Sequence, residues 1–434
     1  MNNFIEAPPI AKNFIKTLRK FGYTMETAIA DIIDNSIGAS AKKLEIIFLP
    51  GEKWLSVKDD GKGMTQKELI VAMTPGSSDP DTSRKKGDLG RFGSGLKTAS
   101  WSQAKVLIVI TKKNNRISAA KWDLDLVEKK EKWILELLPK QKIDELYKKY
   151  SIELKDDGTI VIWDKIDSIQ GSSKLELEKD QDDKIATTVE HIEITYHRFL
   201  DAGPKNSVKI SFNGNDLKAF DPFFAGNGKT HQELPQQVPA GNEIISLTAF
   251  TLPHNKFLTS DEAHQIESHD GLFKNQGFYI YRENRLIMKG GWFGLKRFKE
   301  ISKLARIMVD VPSSLDSEWV TDVKKSNMSP PPIVKKEMKN LMLKFDQRSK
   351  KVITFSGKKS IKSTNSWEVL KLDGKYKFEI KKNNALFSDI KKSLSKEQLI
   401  KFKKLILHLE EELPLEAIYA HFAADDIYKD KNEE

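Results

Sequence analysis

The segment from Thr24 to Ile37 places the strongest constraint on the fold, because it combines an apolar helical stripe with a polar pair. The apolar residues recur at helical spacing and could bury against a sheet; they are Ile29, Ile32, Ile33 and Ile37. Asp31 and Asn35 are four residues apart, so one face of the helix carries both, about one turn apart. A carboxylate can accept a proton from water, and an amide oxygen can bind a hard cation. The pair therefore predicts either part of a reactive site or an ordinary solvated helix face.

Two glycine-rich stretches follow this helix in a fixed order. The first, Val57–Met64, comes at the end of a predicted strand, and the second, Gly87–Thr98, runs into a helix predicted to begin near Leu96. Glycines allow the backbone to approach a flat ring or a phosphate group closely, and the N-terminus of a helix attracts anions. These properties suit a nucleotide site, although the first stretch alone could also be an Asp-Gly hairpin turn.

The acid-x-x-x-Asn helix and the two glycine motifs together resemble the N, G1 and G2 boxes of the GHKL ATPases. This superfamily contains DNA gyrase B, MutL, the MORC proteins, the large heat-shock chaperones and the histidine kinases. Residues 90–97, Gly-Arg-Phe-Gly-Ser-Gly-Leu-Lys, look most like the MORC version of the second glycine motif. A strand that opens with Gly158 and Thr159 resembles the remaining box. The resemblance covers residues 20–165 and extends less closely to about residue 345.

The resemblance implies an ATP site that uses Mg²⁺, in which Asp31 activates water, Asn35 binds the metal and Asp59 accepts a hydrogen bond from the adenine amino group. The other implied nucleotide-binding residues are Gly61, Gly63, Met64, Gly90, Arg91, Phe92, Gly93, Ser94, Gly95, Leu96, Lys97 and Thr159. Lys97 could alternatively be an ordinary surface lysine. Gyrase and MutL proteins usually have Glu at the position of Asp31, so the shorter side chain implies slow turnover or a site that binds better than it hydrolyses.

The expected fold class is α+β, with a Bergerat-type α/β sandwich ATPase domain in residues 1–204. The resemblance implies a transducer-like α/β domain in residues 205–350, and residues 351–434 form a small, mainly helical C-terminal region with a hairpin. The second domain is expected to supply a lysine to the γ-phosphate. Lys325 is the preferred residue and Lys324 the alternate, although two surface lysines would look the same.

Three polar or amphipathic segments outside these motifs also carry predictions. Residues 74–89 occupy the place of the ATP lid and should be mobile until a ligand orders them, because they are polar and contain proline and glycine. Residues 168–188 are expected to be a loop followed by the start of a helix. Ser395–Gln398 is a capping box for an amphipathic helix that reaches Leu413 and suits a helical contact or a dimer seam.

Composition limits the chemistry and the partners. The 434-residue chain has no cysteine, which excludes disulfides, thiolate metal sites and cysteine nucleophiles. Its formal net charge is +10, which favours an anionic partner such as DNA, although the charge is spread as on an ordinary soluble surface. No stretch approaches the roughly 20 apolar residues that a membrane span needs. A cytoplasmic protein without membrane contact is expected.

These observations favour an ATP-gated homodimeric clamp on DNA that acts in genome maintenance or in defence against foreign DNA. Its slow, Mg²⁺-dependent ATP hydrolysis would drive lid closure and dimerisation, alone or with operon-encoded protein partners. One alternative is a chaperone-like ATPase that acts on proteins, although no long acidic linker or large client-binding region is present. Another is an ATP-binding protein kinase of the histidine type, which is disfavoured because the first histidine, His191, follows the ATPase motifs.

Overall fold

The computed structural model of this chain describes residues 9–77, 89, 95–240, 243–254, 257–315, 320–321, 328–331, 334–340, 342, 367–372, 375–381 and 385–413. The helices up to residue 200 are α1 (Ala11–Arg19), α2 (Met25–Gly38), α3 (Gln66–Met73), α4 (Gly95–Gln103), α5 (Leu124–Lys130), α6 (Lys140–Tyr150), α7 (Lys174–Thr195) and α8 (His197–Leu200). The strands up to residue 216 are β1 (Lys43–Ile47), β2 (Trp54–Asp59), β3 (Ala104–Lys113), β4 (Arg116–Asp123), β5 (Glu136–Leu137), β6 (Gly158–Ile166), β7 (Lys209–Phe212) and β8 (Asn215–Asp216).

These strands form one sheet in the order β5-β4-β3-β6-β2-β1-β7-β8, in which β1 and β7 are parallel and the other neighbours are antiparallel. Alternation along β3 gives the sheet two apolar faces. Leu107 and Val109 join the larger core, which also contains residues of α1, α2, α4 and α7, whereas Ile108 and Ile110 join a smaller core with α6. The first sheet therefore packs against a layer of helices on one face and against the smaller core with α6 on the other.

A second sheet follows in the chain. Its elements are β9 (His231–Gln232), β10 (Gln236–Ala240), β11 (Glu243–Thr251), α9 (Ser260–Ser268), α10 (Gly271–Lys274), β12 (Gly277–Arg282), β13 (Arg285–Met288) and β14 (Ala305–Val311). The strand order is β10-β11-β14-β12-β13, with β9 paired to β11, and only β12 and β14 run parallel. One face packs against the helical residues 334–340, and the other carries an aromatic core that contains Tyr279 and Tyr281.

The remaining described elements are small. They are β15 (Val320–Thr321) paired with β16 (Met328–Ser329), β17 (Trp367–Leu372) paired with β18 (Lys375–Ile380), and the helices Ala385–Ser393 and Lys396–Glu411. The Ser395 hydroxyl accepts from the Gln398 N–H, so the predicted capping box is confirmed. No helix in the described parts of the chain is long and apolar enough to cross a membrane.

The α+β fold class predicted from the sequence is confirmed, but three expectations differ from the structure in detail. Residues 168–188 are mostly helical, because α7 runs from Lys174 to Thr195. The C-terminal amphipathic helix ends at Glu411 rather than Leu413. The first sheet continues to Asp216 through β7 and β8, past the domain boundary predicted at residue 204, since β7 pairs with β1. The division into domains stays a prediction.

Helices α7 and α8 connect the two sheets. Ile194, near the end of α7, belongs to the aromatic core of the second sheet. His197 Nε2 lies 2.8 Å from the Tyr281 hydroxyl, and burial lowers the pKa of His197 to about 3. Arg198 forms an ion pair with Asp310 of β14. The second sheet is therefore fixed to the first by one buried and one half-buried polar contact as well as by apolar packing.

Candidate functional site

Helix α2 places Asp31 inside the protein. Asp31 is 6 % exposed, and its Oδ2 atom accepts a hydrogen bond of 2.8 Å from the Tyr23 hydroxyl. A Cβ atom added to Gly95 would lie 3.1 Å from Asp31 Oδ2, so the carboxylate faces the first turn of α4. Asn35, one turn later in α2, is exposed. Because Asp31 is buried against the end of the second glycine motif, the solvated-face alternative does not apply to it.

Asp59, at the end of β2, is held by three hydrogen-bond donors. Its Oδ1 atom accepts from the N–H groups of Gly61 at 2.9 Å and Thr159 at 3.2 Å, and its Oδ2 atom accepts from Ser36 Oγ at 2.9 Å. Burial raises the pKa of Asp59 above its ordinary value, although these hydrogen bonds oppose the shift. The chain continues from β2 into α3, not into a partner strand, so the hairpin-turn alternative does not apply.

Thr111 of β3 connects the first glycine motif to the strand that opens with Gly158. Its hydroxyl accepts from the Met64 N–H at 2.8 Å and donates to the Gly158 carbonyl at 3.0 Å. The Thr159 hydroxyl lies 3.3 Å from the same Thr111 oxygen. Met64, Thr159 and Asp59, which the sequence assigned to two separate motifs, therefore belong to one hydrogen-bonded cluster between β2, β3 and β6.

Lys97 is buried, in contrast to the surface-lysine alternative. Its Nζ atom donates to the Ala72 carbonyl at 2.8 Å, which connects α4 to α3. Burial lowers the pKa of Lys97 to about 8, so the amine is still mostly protonated at neutral pH. The neighbouring Leu96 is half-buried against the larger core. Lys97 therefore places a buried cation between the first turn of α4 and the end of α3.

Several predicted site residues lie outside the described residues. They are Gly90, Arg91, Phe92, Gly93 and Ser94 of the second glycine motif, together with Lys324 and Lys325. Most of the predicted lid, residues 78–88, also lies outside them. The roles assigned to these residues stay predictions.

Comparison with known proteins identifies the domain that contains this site. Residues 23–159 match the family described as "Histidine kinase-, DNA gyrase B-, and HSP90-like ATPase". Residues 23–159 carry a GHKL-type ATPase domain. The matched range begins at Tyr23 and ends at Thr159, and it contains Asp31, Asn35 and Asp59. The family resemblance predicted from the ordered motifs is confirmed.

Two curated relatives are similar over part of this GHKL domain. The chain is 33% identical over 117 residues to "ATPase morc-1" of Caenorhabditis elegans, an alignment that covers 26% of this chain and 13% of the relative. It is 34% identical over 96 residues to "ATPase MORC2B" of Mus musculus, covering 21% of this chain and 9% of the relative. The chain thus matches only a small part of the length of these relatives.

Two glycines of the GHKL domain are required by contacts within the protein. Gly63 has a φ of 59°, and a Cβ atom there would lie 1.9 Å from the Lys112 carbonyl oxygen. Gly158 has a φ of 154°, and a Cβ atom there would lie 2.2 Å from the Asp59 carbonyl oxygen. The sequence explained Gly63 by close approach to a flat ring, whereas in the structure the close approach is to β3.

Sequence reasoning missed three residues of the candidate site. They are Tyr23 beside Asp31, Ser36 beside Asp59, and Thr111 beside Met64 and Thr159. Ser36 follows Asn35 directly, so its place on the motif helix was a usable signal. Tyr23 and Thr111 lie outside the motifs, and only the folded structure brings them to the site.

Proposed function

We propose that this chain binds ATP with Mg²⁺ and hydrolyses it slowly. One observation supports this most directly: helix α2 contacts both ends of the candidate site. Asp31 in its middle faces Gly95 at the start of α4, and Ser36 near its end donates to Asp59. Calorimetric titration of the full chain with ATP and Mg²⁺, together with phosphate release, tests the two parts of the proposal.

Asp59 is the proposed adenine ligand. A buried carboxylate whose two oxygens already accept from Gly61, Thr159 and Ser36 is held in one orientation. Each carboxylate oxygen can accept more than one hydrogen bond, so the adenine amino group could still donate to it. Such charge-assisted bonds are strong in a buried site, and they distinguish adenine from bases that lack an amino group at this position.

At the other end, Asp31 is the proposed acceptor of the proton of the attacking water, and α4 and Lys97 are the proposed supports for the phosphates. The exposed amide of Asn35, one turn from Asp31, fits Mg²⁺, which prefers oxygen ligands and keeps several waters. When bound with the nucleotide, Mg²⁺ would neutralise charge that develops on the phosphate oxygens. Lys325 is kept as the proposed cation from the second domain.

Tyr23→Phe should lower ATP turnover about tenfold with little change in KM, the ratio that corresponds to one hydrogen bond of about 1.4 kcal/mol. The Tyr23 hydroxyl orients the Asp31 carboxylate, and this orientation matters more during attack than during binding. Steady-state phosphate release checks the result.

Tyr150→Phe is the matched control for this variant. The Tyr150 hydroxyl donates to Asp164 Oδ2 at 2.8 Å, the same length as the Tyr23 bond, but it belongs to the core on the other side of the sheet. Equal losses of turnover in the two variants would contradict a role for Tyr23 at the site.

We extend the proposal to a homodimeric clamp on DNA whose closure depends on the γ-phosphate, with operon-encoded protein partners as a further possibility. The proposal keeps the three predicted domains, residues 1–204, 205–350 and 351–434, with one change. The first domain extends beyond Asp216, because β7 and β8 belong to its sheet. The formal net charge of +10 supports an anionic partner. The helix Lys396–Glu411 supports self-association, because it exposes several apolar side chains: Ile400, Leu405, Leu407 and Leu409.

A non-hydrolysable ATP analogue should produce a dimer in analytical ultracentrifugation, whereas ADP should leave a monomer, because only the triphosphate offers a γ-phosphate to the lid and to Lys325. DNA retention measured on the same samples should fall steeply with salt, as expected for binding to a positive surface. One mass in all nucleotide states would contradict the gating, and no retention at low salt would make a protein the better partner.

A further inference from the structure

The turn between β12 and β13 brings two arginines from the second sheet to the GHKL domain. Arg282 ends β12, Arg285 begins β13, and the two residues are cross-strand partners. The two turn residues, Glu283 and Asn284, have φ angles of 48° and 68°, typical of a tight hairpin turn. Arg282 and Arg285 are 5 % and 6 % exposed, so both cations are buried although they lie beside a turn. Buried arginines need partners, and each of these two has a partner on the GHKL domain.

Arg285 is paired with helix α2. Its Nε atom lies 2.7 Å from Asp34 Oδ1, and Asp34 is 1 % exposed. The Tyr196 hydroxyl lies 2.8 Å from the same oxygen and 2.7 Å from the Ala30 carbonyl oxygen. Burial alone would lower the pKa of Arg285, but the negative groups around it, of which the Asp34 carboxylate has the largest effect, together raise it above its ordinary value. The pair is therefore an ionised, directional contact inside the protein.

The other arginine contacts the second glycine motif. Arg282 Nη1 lies 3.5 Å from the Leu89 carbonyl oxygen, and Leu89 itself is buried. Leu89 is followed directly by Gly90, the first residue assigned to phosphate binding. A single hairpin turn of the second sheet thus contacts the helix that carries Asp31 and the segment that leads into the phosphate-binding glycines.

The position of Asp34 on α2 decides what Arg285 can influence. Asp34 lies between Asp31 and Asn35 in sequence and is offset from them by roughly 60° to 100° around the helix axis. The apolar contacts of α2, through Ile29 and Ile33, hold one face of the helix against the core, but they are not directional and tolerate small rotations about the helix axis. A short charge-assisted hydrogen bond depends on both distance and direction, so the Arg285–Asp34 pair restricts this rotation, in addition to the Ser36–Asp59 bond of the same helix.

We propose that Arg285 is a positioning residue of the ATP site, which acts through Asp34 to set the rotation of α2 and thereby the placement of Asp31 and Asn35. This inference rests on the proposed ATPase function. It gives the second sheet a direct mechanical connection to the reacting groups, separate from the lysine predicted near residue 325. A movement of the second sheet would displace the hairpin turn, and the Arg285–Asp34 pair would transmit this movement to α2.

The first experiment compares two ion pairs of the same interface, the buried Arg285–Asp34 pair and the half-buried Arg198–Asp310 pair. The double variant Asp34→Asn/Arg285→Gln removes the charges together and leaves no unpaired buried ion. It should lower kcat for ATP about tenfold and leave KM within about twofold, because attack is more sensitive to geometry than binding is. The single variant Arg285→Lys, with Asp34 unchanged, keeps the positive charge and should retain part of the kcat that the double variant loses. The matched control is Arg198→Gln/Asp310→Asn, which removes the other ion pair, between α8 and β14, without touching α2; it should leave kcat within about twofold.

A second readout does not need hydrolysis, so it separates a failure of this inference from a failure of the proposed function. Hydrogen exchange of the amides in residues 25–38, measured on the nucleotide-free full chain, should become about tenfold faster in Asp34→Asn/Arg285→Gln and remain unchanged in the control pair. Unchanged exchange in the first variant would overturn the proposal, whatever the ATPase result. Equal effects of the two double variants on kcat or on exchange would also overturn it, because they would indicate a general weakening of the interface.

Discussion

Asp59→Asn is expected to weaken ATP binding about 10²-fold, because a hydrogen bond to a charged group contributes about 1.5–3 kcal/mol and each 1.4 kcal/mol is a factor of ten. The amide oxygen could still accept from Gly61 and Thr159, as Asp59 Oδ1 does. The amide nitrogen would then replace Oδ2, and a donor would face the adenine amino group, which is also a donor. Asp59→Ala should lose at least as much affinity. Calorimetry with ATP and Mg²⁺ measures both variants.

Asp60→Asn is the control for this measurement. Asp60 is the next residue in the chain, but it is exposed, and its Oδ1 atom accepts from the backbone N–H groups of Lys42 and Lys43 at 2.7 and 2.8 Å. It should therefore bind ATP like the unmodified chain, while circular dichroism verifies that all variants are folded. Unchanged ATP affinity in Asp59→Asn would remove the adenine assignment.

The predictions from sequence succeeded where local signals were strong. The sequence predicts a helix over Gln66–Met73, and α3 has these bounds; a capping box between Thr65 and Glu68 marks its start. The sequence likewise predicts a strand over Trp54–Asp59, and β2 has these bounds, since turn residues precede it at Pro50–Gly51 and follow it at Asp60–Gly61. In both cases the information lies within a few residues of the element itself.

The length of helix α7 was underestimated, because its buried positions depend on contacts with distant parts of the chain. Its first turns are rich in charged residues, and its buried positions, such as Gln181 and Thr188, include polar residues that no hydrophobic pattern would mark. Gln181 is buried because its side chain bonds to Gly51 and Leu49 in the turn after β1. A sequence pattern cannot report such a contact, since the partner lies about 130 residues away in the chain.

The same distinction applies to the candidate site. Asp31 and Asp59 were predicted because the spacing within their motifs resembles that of a known superfamily, and the structure buries both of them. The residues that hold them come from elsewhere: Tyr23 precedes the helix, and Arg285 is 251 residues from the Asp34 with which it pairs. Motifs thus predicted the candidate site residues, whereas folding determined the contacts that orient them.

Helix α2 is the element on which these contacts converge. Within six consecutive residues, Asp31 faces Gly95, Asp34 pairs with Arg285, and Ser36 bonds to Asp59. Each of these side chains leaves the helix in a different direction, which is possible because successive residues are rotated by about 100°. One rigid helix therefore connects the proposed phosphate end, the second sheet and the proposed adenine end.

Asp31→Asn should therefore lower ATP turnover by about 10²- to 10⁴-fold, the usual contribution of a general base, while ATP affinity changes little. The amide has nearly the same shape as the carboxylate and can still accept from Tyr23, but it cannot take a proton from water. Calorimetry and phosphate release on the same preparation separate the two effects.

Glu26→Gln is the control for this variant, because Glu26 is a carboxylate in the first turn of the same helix. It lies nine residues before Asn35, on the opposite side of the helix axis. It should retain full turnover. Full turnover in Asp31→Asn would place the general base on another residue. ATP binding without measurable turnover in the unmodified chain would contradict hydrolysis itself, and it would favour a switch in which the short Asp31 side chain supports nucleotide binding but not attack.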